Sequence, residues 1–268
     1  MKKIVIISMM LLTFSCKTQQ NVTSATIQIY PTVVNGKIFT SVYQQRAAEY
    51  KALCLQAYNI AKSKLDESLK QQSLKPRAVI TDLDETVFDN SPYAVKRALA
   101  GKDYDQTSWQ EWTALGIADT LAGSYSFFKF AAAQNVEVFY ITNRLEAERE
   151  GTMKNLQRYG FPYADKDHLL LKGSTSSKEE RRQTVTVTHE IVLLLGDNLA
   201  DFSPLFDNKK ATDARAAAVL QNATIFGDKF IVLPNSNYGD WEGAIYNYKY
   251  NLTPLQKDSA IKSNLKGY

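Results

Sequence analysis

Two aspartates one residue apart, Asp82 and Asp84, stand in Ile80-Thr81-Asp82-Leu83-Asp84-Glu85-Thr86. Two more, Asp197 and Asp201, stand in Gly196-Asp197-Asn198-Leu199-Ala200-Asp201-Phe202. Carboxylates gathered in one place repel and raise each other's pKa unless a cation neutralises them, and a ligand set made only of oxygen selects a hard ion such as Mg²⁺. Other groups suit an oxyanion. Thr142, in Tyr140-Ile141-Thr142-Asn143-Arg144, offers a hydroxyl, and Lys178, after Ser176-Ser177, offers a compact positive charge. Together they could hold the oxygens of a transferring phosphoryl group. Each piece alone has a blander reading: Asp-x-Asp and Gly-Asp-Asn are common turns, Thr-Asn can cap a helix, and an exposed lysine is usually solvated. The order along the chain changes the odds: Asp-x-Asp, Thr, Lys, then Gly-Asp-x-x-x-Asp, three of them directly after strand-like runs. A glycine-rich P-loop, a Gly-x-Ser-x-Gly elbow and a Cys/His cluster are all missing, so rival chemistries lack their parts.

Those strand-like runs are 78–81, 136–141, 169–171, 191–195 and 230–233, rich in branched and aromatic residues and each closing on polar ones. Helix-like segments alternate with them, notably 145–159, which ends at Gly160, and 178–183. Alternation of this kind predicts an α/β fold, a Rossmann-like, mostly parallel sheet with helices on both faces, and ligands collect beyond the carboxyl ends of such strands. Ahead of the sheet, Ala47, Tyr50, Cys54, Ala57, Ala61 and Leu65 form one stripe on a long helix that runs from Tyr43 and ends before Pro76. The interval 88–135 is too long for a simple crossover and carries Trp109 and Trp112, so it is read as an inserted α-rich cap over the site. The tail, 243–268, reads as helical and peripheral.

The chain of 268 residues, 44% apolar and 11% aromatic, is long enough to bury a sizeable core. Its net charge of +4 gives no footprint for a nucleic-acid polymer. The first residues read as an export signal: Lys2 and Lys3, an apolar run over 4–14 too short to span a bilayer, then Ser15-Cys16. Cysteine at the end of such a run resembles a bacterial lipobox. The expected organisation is a signal peptide at 1–15, a tether at 16–37 carrying a lipid on Cys16, and a catalytic domain at 38–268; plain secretion is the alternative. With Cys16 acylated, Cys54 has no partner for a disulfide and reads as a small buried residue on a helix.

Taken together, Asp82-Leu83-Asp84-Glu85-Thr86 with Asn90 and Tyr93, and Gly196-Asp197-Asn198-Leu199 with Asp201-Phe202, resemble the class C bacterial acid phosphatases. These are lipoprotein members of the haloacid dehalogenase superfamily that include 5′-nucleotidases. The resemblance runs from the helix before Asp82 through Asn235-Ser236-Asn237-Tyr238-Gly239-Asp240-Trp241-Glu242-Gly243. It implies that Asp82 is the nucleophile and Asp84 the general acid and base. It further implies one Mg²⁺ held by the Asp82 carboxylate, the Asp84 carbonyl and Asp197, with Asp201 acting through water. Thr142 and Lys178 would neutralise the charge of the transition state, with Asn143 and Arg144 beside them at the substrate. Aromatic residues at Trp109, Trp112, Tyr238 and Trp241 would border a nucleotide pocket, which makes a nucleoside 5′-monophosphate the leading substrate.

The implied protein is an exported phosphomonoesterase of the bacterial envelope, anchored to the outer membrane and a candidate C₂ homodimer. A sugar phosphatase or phosphomutase of the same superfamily is the nearest alternative, since fold alone does not choose among them. A surface binding protein, for instance for haem through His168 or His189, is the alternative of another class.

Overall fold

A computed structural model describes residues 32–207 and 211–268. The expected signal peptide, the lipidated Cys16 and most of the tether lie outside the described residues. The chain begins with α1 (Thr32–Arg46) and α2 (Ala48–Leu69), followed by β1 (Arg77–Thr81) and β2 (Phe88–Asp89). Then come α3 (Ser91–Leu99), α4 (Gln106–Leu115), β3 (Asp119–Thr120), α5 (Ser124–Ala133) and β4 (Glu137–Ile141). The second half runs through α6 (Arg149–Tyr159), β5 (Leu169–Leu170), α7 (Glu179–Thr188), β6 (Glu190–Gly196), α8 (Thr212–Gln221) and β7 (Phe230–Val232). Helices α9 (Asp240–Ile245) and α10 (Pro254–Asn264) close the chain, α10 lying against α1.

All five strand-like runs form one parallel sheet in the order β5-β4-β1-β6-β7. Alternate side chains of each strand enter two separate cores, because successive residues of a strand face opposite ways. On one face Val79, Val138, Tyr140, Leu193 and Leu195 pack with α2 and α5. On the other Ala78, Ile80, Ile141 and Leu194 pack with Val185 of α7 and Ala218 of α8. Burial on both faces explains why these strands read as unbroken apolar runs.

Three boundaries differ from the sequence reading. The single helix expected from Tyr43 is two, parted at Ala47, whose backbone is extended at ψ 128°. Its halves bury against different layers: α1 lies along the cap helix α3, while the predicted stripe of α2, with Tyr58 added, packs on the sheet. Helix α1 also begins at Thr32, inside the span expected to be tether. The cap, expected over 88–135, loses α5 to the sheet layer, because Phe127, Phe128 and Ala131 bury against α2 and β4 rather than over the site. What remains is α3 and α4, flanked by the small antiparallel pair of β2 and β3. Gly160, with φ 68°, ends α6 in the left-handed conformation that glycine adopts without strain. Among the described residues no helix is long and apolar enough to cross a membrane.

Candidate active site

Parallel strands place the residues that follow them at one edge of the sheet. Asp82 follows β1, Thr142 follows β4 and Asp197 follows β6, on adjacent strands. The Asp82 amide donates to the Leu195 carbonyl at 2.9 Å, which ties the first acidic loop to the strand that delivers Asp197. Asp201 reaches the same point through a short helical turn, where its carboxylate accepts from the Asn198 amide at 2.9 Å. A Cβ on Gly196 would collide with the Asp201 side chain, so glycine at that position lets the carboxylate come in.

One oxygen each of Asp82, Asp197 and Asp201 lies within 4.8 Å of the others. Lys178, at the start of α7 and almost fully buried, ion-pairs with Asp82 and, at 2.8 Å, with Asp201. Burial lowers the affinity of its ammonium for a proton, but Asp201 and Asp82 outweigh that and hold its pKa above the usual lysine value. One cation does not balance three carboxylates. Burial pushes Asp82 up to about 7, aided by Asp201 and Asp84 and opposed by Lys178. Burial likewise holds Asp197 well above its ordinary range, with Asp201 and Asp82 adding to the effect. Converging oxygens short of positive charge fit a hard divalent cation, with Asp82 and Asp197 as the direct carboxylate ligands and Asp201 close behind them.

The second aspartate of the pair faces elsewhere. Asp84 accepts three contacts from the buried Arg144, from Nε at 3.1 and 3.2 Å and from Nη2 at 2.6 Å, and a fourth from the Asn90 side-chain amide at 2.9 Å. Arg144, expected at the substrate, thus holds Asp84, and its Nη1 is fixed by the Thr152 hydroxyl at 3.0 Å. Trp112, expected in a nucleotide pocket, donates from Nε1 to the side-chain Oδ1 of Asn90 at 2.8 Å and so supports Asp84 through the Asn90 amide. Trp109 is buried among Tyr93, Tyr104 and the Arg144 guanidinium, with ring centroids 5.1 and 6.1 Å away and the guanidinium carbon 5.8 Å away. Tyr238 donates its hydroxyl to Glu85. Of the four aromatic candidates, Trp241 alone is exposed; its Nε1 donates to the Tyr238 carbonyl at 3.1 Å and its ring lines a cavity beside Asp197.

Thr142 is buried and its hydroxyl accepts from the Arg144 amide at 3.2 Å, whereas Asn143 is exposed and accepts from Arg181 at 2.8 Å. Arg181 also donates to the Thr142 carbonyl at 2.6 Å, clamping the end of β4 to α7. Arg181 carried no signal in the sequence, because it sits in an ordinary charged helical run. Asn235, following β7, donates to Asp197 at 2.8 Å. Glu85 is buried in the left-handed conformation at φ 55°, and burial, then Asp84, raises its pKa to about 8. A glutamate after Asp-x-Asp reads in sequence as one more solvated acid, and only the fold shows it enclosed. Both histidines lie at the amino edge of the sheet with ring nitrogens facing oxygens, away from this site.

The comparisons with known proteins agree with this geometry. Two structures of the class C acid phosphatase from Bacillus anthracis superpose with TM-scores of 0.85 and 0.84, each at 40% identity over 88% of this chain. They cover 99% and 98% of those chains, and the second has tungstate bound. Acid phosphatase 1 of Solanum lycopersicum is 32% identical over 130 residues, which is 46% of this chain and 50% of that protein. The stem 31 kDa glycoprotein of Glycine max is 25% identical over 128 residues. The chain spans about half the length of these two plant relatives. The sequence pattern of the HAD superfamily, subfamily IIIB (acid phosphatase), matches residues 1–241, and the chain belongs to that family.

Proposed function

We propose that this protein is a Mg²⁺-dependent acid phosphatase that hydrolyses phosphomonoesters through an aspartyl-phosphate on Asp82. The observation that carries the reading is the pairing of Asp82 with Lys178 inside the carboxylate triad, at the carboxyl end of the central strand. A buried carboxylate fixed by an ammonium is a nucleophile held in one orientation. Tungstate is a tetrahedral oxyanion, and its presence in the similar Bacillus anthracis structure supports an oxyanion site here.

In the proposed reaction the Asp82 carboxylate attacks phosphorus and the alcohol leaves with a proton from Asp84. Asp84 then takes a proton from the water that opens the aspartyl-phosphate. Arg144 and Asn90 aim Asp84 for both steps. Lys178 and the Thr142 hydroxyl neutralise the phosphoryl oxygens. Asp82, Asp197 and the carbonyl of Asp84 would hold Mg²⁺, with Asp201 acting through water, and the ion would supply Lewis-acid charge to the same oxygens. Because Asp84 must begin protonated, an acidic optimum follows, and kcat/KM rising steadily to pH 8 would count against this assignment.

Nucleoside 5′-monophosphates are the proposed substrates, with Trp241 as the stacking surface because its face is exposed beside Asp197. Base–aromatic stacking contributes about 1–3 kcal/mol in single-stranded nucleic-acid binders. A panel of nucleotides and small aryl phosphates, run with and without EDTA, tests both parts. Trp241→Ala is expected to lower the nucleotide-to-aryl ratio of kcat/KM about tenfold; an unchanged ratio removes the stacking role. Export, a lipid on Cys16 and a C₂ dimer belong to the same proposal, and mass spectrometry of the mature N-terminus tests the lipid.

A further inference from the structure

Helix α1 turns a polar face inward. Besides Val33 and Val34, its buried residues are Ser41 and Gln44, at positions where packing alone would favour apolar side chains. Thr40, Ser41 and Gln44 all close on one partner, the Asn237 side chain, which is 3% exposed. Its Oδ1 accepts from the Thr40 hydroxyl at 2.7 Å and the Ser41 hydroxyl at 3.3 Å, and its Nδ2 donates to Gln44 Oε1 at 2.6 Å. Gln44, 4% exposed, in turn donates from Nε2 to Asp89 Oδ1 at 2.8 Å. A carboxylate only accepts, so Asp89 sets the direction of both amides. Gln44 thereby ties the end of β2 to the segment 235–238 that follows β7.

That segment reaches two parts of the reaction centre. Asn235 Oδ1 accepts the amides of Asn237 at 2.8 Å and Tyr238 at 3.4 Å, which leaves its Nδ2 aimed at Asp197, 2.8 Å away. Tyr238 donates its hydroxyl to Glu85. Glu85 accepts from the Asn90 amide at 2.9 Å, and the Asn90 side chain donates to Asp84 at 2.9 Å. One arm ends on a carboxylate of the triad, the other on the proposed acid. A satisfied buried network of this kind specifies one geometry, at the expense of the stability that apolar side chains would supply.

We propose that Gln44 and Asn237 are positioning residues for the reaction, which set Asp197 for the metal and Asp84 for proton transfer together, through Asn235 and Tyr238. The proposal rests on the phosphatase reading and extends the site to α1, a helix outside the sheet that carries the aspartates.

The test measures phenyl phosphate hydrolysis at saturating Mg²⁺ and, by calorimetry, Mg²⁺ binding to the metal-free protein. Asn235→Leu is expected to weaken Mg²⁺ binding about tenfold, and Tyr238→Phe to lower kcat about tenfold with Mg²⁺ affinity unchanged, the scale on which partners behind a metal ligand or catalytic group act. Gln44→Met and Asn237→Leu should each show both losses with KM unchanged, because the interactions they aim are made in the transition state and with the metal. The double variant should lose no more than Asn237→Leu alone, since the two residues act in series. Gln44→Met nearly keeps the shape of glutamine, and Thr40→Val removes one of the two hydroxyls on Asn237, so the test survives if Asn237→Leu fails to fold. Folded variants that lower Tm but keep kcat and Mg²⁺ affinity make the network purely structural and overturn the proposal. Losses that multiply in the double variant overturn it as well. A wild type that does not cleave phenyl phosphate would instead defeat the phosphatase reading, and calorimetry would still decide the Asn235 arm.

Discussion

The sheet carries ionised groups at both ends, and the two ends treat them in opposite ways. At the carboxyl end Asp82, Asp197 and Asp201 crowd together with Lys178 as the cation between them, and Asp82 and Asp197 are pushed toward the neutral form. At the amino end Glu137 opens β4 and accepts from His168 Nε2 at 3.0 Å and His189 Nε2 at 3.2 Å. His168 Nδ1 faces Asp165 at 2.8 Å, so both its nitrogens meet carboxylate oxygens, and the ring must carry both protons to donate to each. His189 Nδ1 faces the Thr188 hydroxyl at 2.8 Å, and the Phe139 ring packs on both imidazoles. Burial opposes ionisation of Glu137 and Asp165, yet their histidine partners prevail and hold both below the usual carboxylate range. At one end opposite charges satisfy each other within the fold. At the other, like charges are kept short of a partner, which weakens the fold and leaves a place for a cation and an oxyanion.

The sharpest way to break that comparison is to remove one charge from each end. Asp82→Asn should lower kcat by on the order of 10³-fold or more, the scale on which covalent nucleophiles are lost. In EDTA its Tm should equal or exceed that of the wild type, because a repelling carboxylate is gone. Glu137→Gln should do the reverse, with unchanged kcat and a lower Tm, since it replaces the charged acceptor of two histidines with a neutral one. Paired turnover and thermal-unfolding measurements decide it. A large loss of Tm in Asp82→Asn would mean that the carboxyl end is held together by its own ion pairs.

Metal binding is the next largest effect. A cation that binds only the folded protein stabilises it by about 2.7 kcal/mol at a concentration 100 times its Kd. Adding Mg²⁺ to metal-free protein should therefore raise Tm in the wild type and much less in Asp197→Asn. Calorimetry with and without EDTA measures this. An equal rise in both proteins would place the cation away from the triad.

The two ends also differ in how much the sequence discloses. Asp82, Thr142 and Asp197 are legible because each directly follows a strand run buried on both faces, and the parallel sheet carries every such residue to one edge. The partners of Asp84 are less legible. Arg144 and Trp112 read as substrate contacts, and only packing shows that they hold Asp84 directly or through Asn90. The aromatic run of α5 reads as cap because periodicity tells that Phe127 and Phe128 are buried but not against what. The break at Ala47 has no local signal, since it arises from the two layers that α1 and α2 must reach. The amino-end cluster is the least legible of all: Glu137, His168 and His189 come from three separate segments, and each histidine alone reads as an ordinary residue.

That cluster gives the smallest effect and the cleanest pH signature. The pKa of His168 is raised: burial opposes its charge, but Asp165 and Glu137 outweigh burial. A group whose folded pKa is raised contributes stability that is fully present below the unfolded value, about 6.5 for histidine, and is lost as pH climbs through the folded value. Glu137, with its folded pKa lowered, contributes above the unfolded value of about 4.3 and loses that contribution as the solution is acidified. Both contributions are present together between about pH 4.5 and 6.5, which is where an acid phosphatase works. His168→Gln should therefore lower stability by at most about 1 kcal/mol in that window, because the cluster is partly solvated. For a domain of this size that corresponds to about 2–4 °C in Tm. The gap from the wild type should narrow as pH rises through the folded pKa of His168, while kcat stays constant throughout. A Tm difference independent of pH would mean that His168 contributes through its packing on Phe139 and Tyr163, and the contrast between the two ends would then be one of shape rather than of charge.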